Sequence, residues 1–281
     1  MSQFDADALP PLRDVIKEND LGAKKSLGQN FLLDLNLTRK IVRGAGKLEN
    51  TNVIEVGPGP GGLTRAILES SATKLYALEK DRRCITALQP VVEAAEGRLE
   101  LQEIDALTVD PIALCDAPRA IIANLPYNIA TVLLINWLKQ ASAYASMTLM
   151  FQKEVAGRIT AAPKTKAYGR LSVLSQWLCQ CHIVFDVPAS AFTPPPKVTS
   201  AIVHLRPRKD LTVSEAEFKC MEQITAAAFG QRRKMLRKSL QTLKMDLSVE
   251  ELLTQADIPE TARAEEVDIA GFIRMMQILT K

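Results

Sequence analysis

The tetrapeptide Asn124-Leu125-Pro126-Tyr127 combines an amide, a rigid imino acid and an aromatic ring directly after a short apolar run. An exocyclic amine such as N6 of adenine is a poor nucleophile, because its lone pair is delocalised into the ring. The Asn124 side-chain oxygen and the Leu125 backbone carbonyl could accept its two N–H groups and so orient that lone pair. Pro126 would keep Leu125 extended, and Tyr127 could stack on the base, a contact worth about 1–3 kcal/mol. The tetrapeptide therefore predicts a site for an adenine amine, unless it only caps the following helix.

A glycine-rich turn with the sequence GPGPGG occupies residues 57–62 and follows the β-branched run 52–56. Glycines let the backbone turn sharply and approach a ligand closely, and the next helix offers its N-terminus. The spacing is G-x-G-x-G and not the dinucleotide pattern G-x-G-x-x-G, and Glu55 stands two places before the first glycine. The turn predicts a nucleotide-type site after the first strand of a doubly wound sheet. A tight turn without a ligand is the alternative.

A carboxylate ends each of the next two predicted strands. Glu79 closes the second, where it could accept hydrogen bonds from ribose hydroxyls, and Asp105 follows the third, where it could accept from an adenine amine. Either residue alone would more often be a helix N-cap or a solvated charge. Together with the glycine turn they describe an adenosine-shaped pocket, and the pattern resembles class I S-adenosylmethionine methyltransferases more than NAD enzymes.

The elements that must position these residues alternate between short strands and longer helices. Strands are predicted at 52–56, 74–79, 99–104, 119–123 and 147–152, with helices at 62–70, 82–96 and 130–139 between them. This alternation predicts an α/β fold with a parallel, Rossmann-like sheet. Runs at 181–187 and 200–205 are expected to form a closing antiparallel pair. After Pro207 the pattern indicates helices alone, at 214–229, 234–243, 248–255 and 271–279.

Three parts of the chain are therefore predicted: an N-terminal extension at 1–23, a catalytic domain at 24–206 and a small all-helical domain at 207–281. The extension matches no motif and is expected to be partly disordered. Its acidity argues against a transit or signal peptide, and the longest apolar runs fall far short of the roughly 20 residues that span a bilayer. A cytoplasmic protein is expected.

Five scattered cysteines among the 281 residues indicate reduced thiols and not a disulfide framework. The pair Cys179 and Cys181 lies beside His182, but no second Cys/His pair at zinc spacing follows it. On a strand, alternate cysteines of this kind usually pack in a core. No metal site is expected.

The net charge of +3 is divided unevenly along the chain. Residues 195–245 hold eleven Lys and Arg against four Asp and Glu, whereas the rest holds 24 basic and 28 acidic residues. Arg233 with Arg237, and Lys234 with Lys238, have i,i+4 spacing, which predicts two positive stripes on one helix face. Such asymmetry indicates a polyanionic partner. A solvated face balanced by the acidic C-terminus is the alternative.

Three motifs in this order resemble the ribosomal RNA adenine dimethyltransferase family, and within it the bacterial small-subunit branch whose loss gives kasugamycin resistance. They are KKSLGQNFL at 24–32, NLPYNI at 124–129 and FTPPPKV at 192–198. The resemblance covers the chain from residue 24 to near the C-terminus. It implies that two adjacent adenosines near the 3′ end of 16S rRNA, in the immature 30S subunit, each receive two methyls at N6 from S-adenosylmethionine.

The resemblance also implies residue roles, which are carried over position by position. The cofactor-binding residues would be Gln29, Asn30, Leu32, Gly57, Gly59, Gly61, Glu79, Lys80, Asp105, Ala106 and Asn124. The target base would lie among Asn124, Leu125, Pro126 and Tyr127, with Phe192 at its opposite face or edge. Without the resemblance, Phe192 would be interpreted as a core aromatic. The candidate RNA-binding residues are Lys24, Lys25, Arg158, Lys197, Arg232, Arg233, Lys234 and Arg237.

Two other functions stay open at this stage. One is a large-subunit 23S rRNA adenine N6-methyltransferase, although the helical tail favours the small-subunit enzyme. The other is an assembly checkpoint that acts on the small subunit mainly by binding. The glycine turn and Asn124 argue that catalysis is retained. A monomer is expected.

Overall fold

The computed structural model describes residues 4–23 and 28–281, and its centre is a seven-stranded sheet. The strands in chain order are β1 (Phe31–Leu32), β2 (Asn52–Val56), β3 (Lys74–Glu79), β4 (Leu99–Glu103), β5 (Arg119–Asn124), β6 (Ser146–Gln152), β7 (Cys179–Val187), β8 (Phe192–Thr193) and β9 (Ser200–Pro207). Seven of them follow the order β4-β3-β2-β5-β6-β9-β7, and β1 pairs with β8 separately. The α/β fold class and the five predicted strands of the parallel part are confirmed.

The pairing places the predicted site residues on one edge of this sheet. β2 runs parallel to β3 and β5, β3 to β4, and β5 to β6, whereas β9 is antiparallel to β6. The carboxyl ends of β2, β3, β4 and β5 therefore lie side by side, as the glycine turn and the two carboxylates require. Most positions of β2 and β5 are apolar because helices cover both faces of a parallel sheet, and Val53, Ile54 and Ile121 are fully buried.

The helices are α1 (Leu12–Glu18), α2 (Leu35–Gly44), α3 (Gly62–Leu68), α4 (Arg82–Ala87), α5 (Gln89–Ala94), α6 (Tyr127–Leu138), α7 (Lys153–Ile159), α8 (Arg170–Leu178), α9 (Glu215–Gly230), α10 (Leu236–Ser239), α11 (Val249–Gln255) and α12 (Ile269–Leu279). In this part of the chain, no helix has the length and apolarity needed to cross a membrane.

Two helix predictions were wrong. The single helix predicted at 82–96 is divided at Leu88 into α4 and α5, and a proline occupies the first turn of α5, where its missing N–H costs least. The helix predicted at 234–243 is only α10 followed by one 3-10 turn at Leu240–Thr242. Residues 231–234 form a turn, and Met235 makes an isolated bridge with Arg263.

Residues 4–23 of the N-terminal extension are folded, and the partial disorder expected for the whole extension stays a prediction. Phe4, Leu12, Val15 and Leu21 are buried. Two arginine side chains, one on α2 and one on α3, bind this segment. Arg39 pairs with Asp7 at 2.9 Å and with Glu69 at 2.7 Å, and Arg65 Nη1 donates to the Pro10 carbonyl at 2.8 Å.

Contacts divide the chain into two compact units. The first comprises residues 1–134, 143–156 and 182–206, and the second comprises 135–142, 157–181 and 207–281. The second unit therefore contains two segments that precede the predicted boundary at Pro207. Its α9 begins with a capping box between Ser214 and Glu217.

Aromatic packing joins the second unit's segments. The rings of Trp177 and Phe218 stack with centroids 6.1 Å apart, and those of Phe229 and Phe272 stack at 5.7 Å. Tyr168 meets Phe229 edge-on at 5.9 Å. Because Trp177 and Tyr168 come from residues 157–181, that segment belongs to the helical core although it precedes β9 in the sequence.

Candidate cofactor and base site

A cavity of ≈ 1160 Å³, including its open mouth, lies at the carboxyl ends of β2, β3, β4 and β5. Nearly all of the predicted cofactor residues line it, and they come from five separate segments. The predicted residues that line it are Gln29, Asn30, Leu32, Gly57, Gly59, Glu79, Lys80, Asp105, Ala106, Asn124, Leu125, Pro126 and Tyr127. The sheet therefore brings together side chains that are up to about a hundred positions apart in the sequence.

The glycine turn places Gly57, Gly59 and Gly62 at the cavity, and its last two glycines also allow close packing. Gly61 does not line the cavity. Gly61 has φ +96° at the N-cap of α3, and a Cβ there would meet the Leu88 side chain at 2.8 Å. A Cβ on Gly62 would collide with the backbone carbonyl oxygen of Leu32. Gly61 and Gly62 thus let α3 start against its neighbours.

Gly62→Ala is expected to destabilise the protein by about 1–3 kcal/mol, because the new methyl group meets backbone that cannot rotate away. The expected readout is a lower midpoint in urea denaturation. Gly157→Ala is the matched control, since Gly157 lies in α7 with open space where a Cβ would stand, and Ala favours a helix by up to about 1 kcal/mol. Equal midpoints for wild type and Gly62→Ala would contradict the packing role.

Glu79 is held rigidly at the cavity wall. Its carboxylate accepts backbone N–H groups from Gly59 at 3.1 Å, Lys80 at 2.8 Å and Asp81 at 2.7 Å. Burial nevertheless raises the pKa of Glu79, because it outweighs these hydrogen bonds. Oε1 accepts two of these bonds and Oε2 only the one from Gly59, so Oε2 has further lone-pair capacity and can still accept from a ribose hydroxyl.

Glu55 is a second carboxylate in the cavity wall, and sequence reasoning gave it no role. Its side chain is almost completely buried, and its Oε2 has no hydrogen-bond partner among the described residues. Burial raises the pKa of Glu55 to about 8. An unpaired buried carboxylate is costly unless a cation faces it, so this wall fits the positively charged methionine end of S-adenosylmethionine. In the sequence, the only indication of a role for Glu55 was its position two residues before the first glycine of the turn.

Asp105 and Lys80 form an ion pair at the cavity rim, with Nζ and Oδ2 2.7 Å apart. The other Asp105 oxygen accepts the backbone N–H of Leu107 at 3.0 Å. The bond from Lys80 is the largest cause of a lowered pKa at Asp105, so the carboxylate stays ionised and can act as an acceptor. Lys80 was predicted only to bind the cofactor, and the structure shows that its ammonium group also pairs with Asp105.

Asn124 has a fixed amide orientation. Its Nδ2 donates to the backbone carbonyl of Asn30 at 3.1 Å, which leaves Oδ1 as an acceptor. The next residue, Leu125, is 2% exposed, and both residues line the cavity. Tyr127 is also held, since its hydroxyl lies 2.6 Å from Ser200 Oγ, and burial raises its pKa. This arrangement can accept the N–H groups of an adenine amine and restrain an aromatic ring beside it.

Phe192 does not line the cavity, although its partner on β1 does. It is 3% exposed, packs in the core of the first unit and pairs with Leu32 through the β1–β8 ladder. Its contact with the target base therefore stays a prediction. Lys197, five residues later in the same motif, is exposed.

The basic residues near 232–238 do not form the predicted positive helix face. Arg233 and Lys234 lie in the turn before α10, so their i,i+4 relation to Arg237 and Lys238 is not helical. Arg232 is paired with Glu265 at 2.9 Å and donates to the Thr165 carbonyl. The physical reason is that α9 ends at Gly230 and a turn at 231–234 follows, and the bridge at Met235 keeps that residue extended before α10 begins.

Three further candidates for RNA binding have different positions. Arg158 is exposed at the end of α7, and its carbonyl accepts from Ser172. Lys24 and Lys25 lie outside the described residues. No RNA contact of these residues follows from the fold alone.

The fold, the glycine turn with its carboxylates and the Asn124 site define a class I methyltransferase. The chain belongs to the family described as Ribosomal RNA adenine dimethylase, whose model matches residues 21–281. It is an S-adenosylmethionine-dependent enzyme. A relative from Azorhizobium caulinodans, named Ribosomal RNA small subunit methyltransferase A, is 55% identical over 96% of this chain and 92% of its own length. A relative of the same name from Paramagnetospirillum magneticum is 52% identical over 96% and 95%.

Solved structures share the fold. A dimethyladenosine transferase from Plasmodium falciparum superposes with a TM-score of 0.76 at 24% identity, covering 89% of this chain and 97% of its own. The 23S rRNA methyltransferase ErmE superposes with a TM-score of 0.67 at 27% identity, covering 90% and 100%. The predicted family, fold class and cofactor are therefore confirmed.

Proposed function

We propose that the protein dimethylates N6 of two adjacent adenosines near the 3′ end of 16S rRNA, as a cytoplasmic monomer acting on the immature 30S subunit. The observation that carries the proposal is the oriented amide of Asn124. Its Nδ2 is committed to the Asn30 carbonyl, so Oδ1 is presented as an acceptor in the cavity that Glu55, Glu79 and Asp105 line.

The residues at this site act by positioning. S-adenosylmethionine, when bound, supplies a methyl group already activated by its sulfonium. Asn124 Oδ1 and the Leu125 carbonyl accept the two N–H groups of the adenine amine and aim its lone pair. Tyr127, held by Ser200, restrains the ring. Bringing two reactants into one orientation removes most of the entropic barrier, so this site needs no nucleophile of its own.

The small subunit is the proposed substrate because of the relatives. Those named for the small subunit are 52–55% identical, whereas the 23S rRNA methyltransferase is 27% identical. The base must leave its stack to reach Asn124, which costs a few kcal/mol and least where the RNA is already single-stranded. Binding as an assembly checkpoint is a second candidate that the intact cavity does not oppose.

The test is transfer of radiolabelled methyl from S-adenosylmethionine to small subunits that lack the modification, compared with naked 16S rRNA and with large subunits. We expect two methyls on each of two adenosines in small subunits and none on large subunits. Labelling of large subunits alone would instead make the protein a 23S rRNA enzyme. Tight binding to small subunits without labelling would make it a checkpoint factor.

The exposed turn before α10 is the proposed phosphate-binding surface. Arg233 and Lys234 are exposed there, whereas the neighbouring Arg232 is bound to Glu265. Each phosphate contact releases counterions. Arg233→Ala and Lys234→Ala are therefore expected to weaken small-subunit binding and to lower the slope of log K against log salt by about 1 each.

Two controls accompany that measurement. Lys17→Ala removes an exposed charge from α1 and is expected to leave the slope unchanged. Arg232→Ala separates the paired arginine from its exposed neighbours, and its effect is expected mainly on stability. An unchanged salt slope in Arg233→Ala and Lys234→Ala would remove this turn from the RNA surface.

A further inference from the structure

Asp81, the N-cap residue of α4, accepts hydrogen bonds from two side chains next to the cofactor cavity. Its side chain is 4% exposed. Oδ2 accepts the Gln29 side-chain Nε2 at 3.0 Å, and it also accepts Arg83 Nη2 at 2.7 Å. Arg83 Nε lies 3.1 Å from Oδ1, so the guanidinium and the carboxylate form a two-point pair. Asp81 is thus bonded to Gln29, a residue 52 positions earlier that lines the cavity.

Arg83 extends the same network to the end of the N-terminal segment. Its Nη1 donates to the Asp20 carbonyl at 3.0 Å and to the Gly22 carbonyl at 3.3 Å. Beside it, Val15 and Leu21 pack with Cys84 and Ala87 in a small apolar cluster. Residues 20–22 are therefore fixed against α4 by both hydrogen bonds and buried surface.

The network also reaches the ribose-type acceptor. The backbone N–H of Asp81 donates to Glu79 Oε1 at 2.7 Å. One short stretch, 79–83, thus holds the Glu79 carboxylate, the Gln29 side chain and the Gly22 carbonyl. Gly22 and Gln29 stand on either side of residues 24–27 in the sequence.

We propose that Asp81 and Arg83 are positioning residues that hold Gly22 and Gln29 and thereby set the place of Gln29 at the cofactor cavity. The inference rests on the proposed cofactor-binding role of Gln29. It also gives the N-terminal extension a role in cofactor binding. Arg83 binds the carbonyls of residues 20 and 22, and Asp81 binds Gln29, so the same ion pair holds both places.

The pair is permanently charged under ordinary conditions. The bond from Arg83 is the largest cause that lowers the pKa of Asp81, to about 2. Removing one partner of a buried ion pair leaves the other uncompensated. Conservative substitutions that keep a polar group in place are therefore the informative ones.

The test compares Asp81→Asn, Arg83→Lys and Gln29→Ala in the full-length protein, with calorimetric measurement of S-adenosylmethionine affinity. Asn keeps the N-cap of α4 but presents a donor where Oδ2 accepted two bonds. Lys keeps the charge of Arg83 but not its two-point geometry. We expect each variant to bind the cofactor about tenfold more weakly, as for loss of a hydrogen bond to a charged group. For Asp81→Asn and Arg83→Lys, whose residues do not line the cavity, the maximal rate at saturating cofactor should change less than about twofold.

Matched controls exist for both substitutions outside the cavity. Asp110→Asn alters an aspartate that caps a short 3-10 helix through Ile112 N–H. Arg98→Lys alters an arginine that donates to the carbonyls of Ser70 and Ala72. Neither residue lines the cavity, and both variants should bind the cofactor as wild type does.

Combining Gln29→Ala with Asp81→Asn gives a double-mutant cycle. If Asp81 acts through Gln29, the double variant should be little weaker than either single one. Additive losses would overturn the inference, and so would wild-type affinity in Asp81→Asn and Arg83→Lys when Gln29→Ala is weakened. Wild-type affinity in Gln29→Ala would overturn it together with the assigned role of Gln29. Should Asp81→Asn fail to fold, Arg83→Lys decides by the same criteria.

Discussion

Asn124→Ala is expected to lower kcat for methyl transfer by a factor on the order of 10² to 10³, as for loss of one preorganised hydrogen bond at a reacting group. The substitution removes the Oδ1 acceptor that the bond from Nδ2 to the Asn30 carbonyl keeps in place. Binding of small subunits should stay within about twofold, because most of that affinity comes from phosphate contacts elsewhere. The measurement is single-turnover methylation together with a binding titration.

Asn136→Ala is the matched control for this prediction. Asn136 is an exposed asparagine on α6, and it lies outside the cavity. Its substitution should leave both the rate and the binding unchanged. Equal loss of methylation and of subunit binding in Asn124→Ala would contradict the role of Asn124, because the residue would then support the structure and not the reacting amine.

Glu55→Gln is expected to change stability and cofactor binding in opposite directions. Burial raises the pKa of Glu55 from an ordinary 4.5 to about 8. Its contribution to the stability of the cofactor-free protein is therefore fully present below about pH 4.5 and is lost as pH rises through about 8. Glutamine does not titrate, so the variant should melt at a higher temperature than wild type at pH 8.5 and gain little at pH 5. Cofactor affinity at pH 8.5 should fall at least tenfold, on the order of one lost charge-assisted contact.

Thermal melts at pH 5 and pH 8.5, with and without S-adenosylmethionine, measure both effects. Glu103→Gln is the control, since Glu103 is exposed at the end of β4, and it should move neither quantity. Because a cationic ligand favours the ionised form, wild-type binding near neutral pH should also release a proton, seen in calorimetry as a dependence on buffer ionisation heat. A Glu55→Gln variant with wild-type cofactor affinity would show that no cation faces this carboxylate.

The amino-acid pattern alone was enough to predict the sheet and the edge at which the site lies. Residue type located β2, β3 and β5 closely, because a parallel strand that helices cover on both faces is mostly apolar and ends in a turn. Glu79, Asp105 and Asn124 then followed from position alone, since carboxyl ends of parallel strands share one edge. The family resemblance added Gln29 and Asn30, which no local pattern indicates, and the cavity includes both.

Local patterns misjudged the stretches where a distant contact decides. The positive stripe at 233–238 had helical spacing, but a turn at 231–234 and the bridge between Met235 and Arg263 separate its first residues from α10. Residues 4–23 looked unassigned, yet Arg39 and Arg65 anchor them. In both places the deciding partner is tens of residues away in the sequence.

Which polar atoms of the site already have a hydrogen-bond partner within the protein is known from the three-dimensional structure alone. It showed that Asn124 presents Oδ1, that Glu55 Oε2 has no hydrogen-bond partner among the described residues, and that Asp81 accepts a hydrogen bond from Gln29. It also placed Phe192 in the core of the first unit. Hydrogen-bond direction and burial depend on groups that the fold brings within about 3 Å, and spacing along one chain does not encode which groups those are.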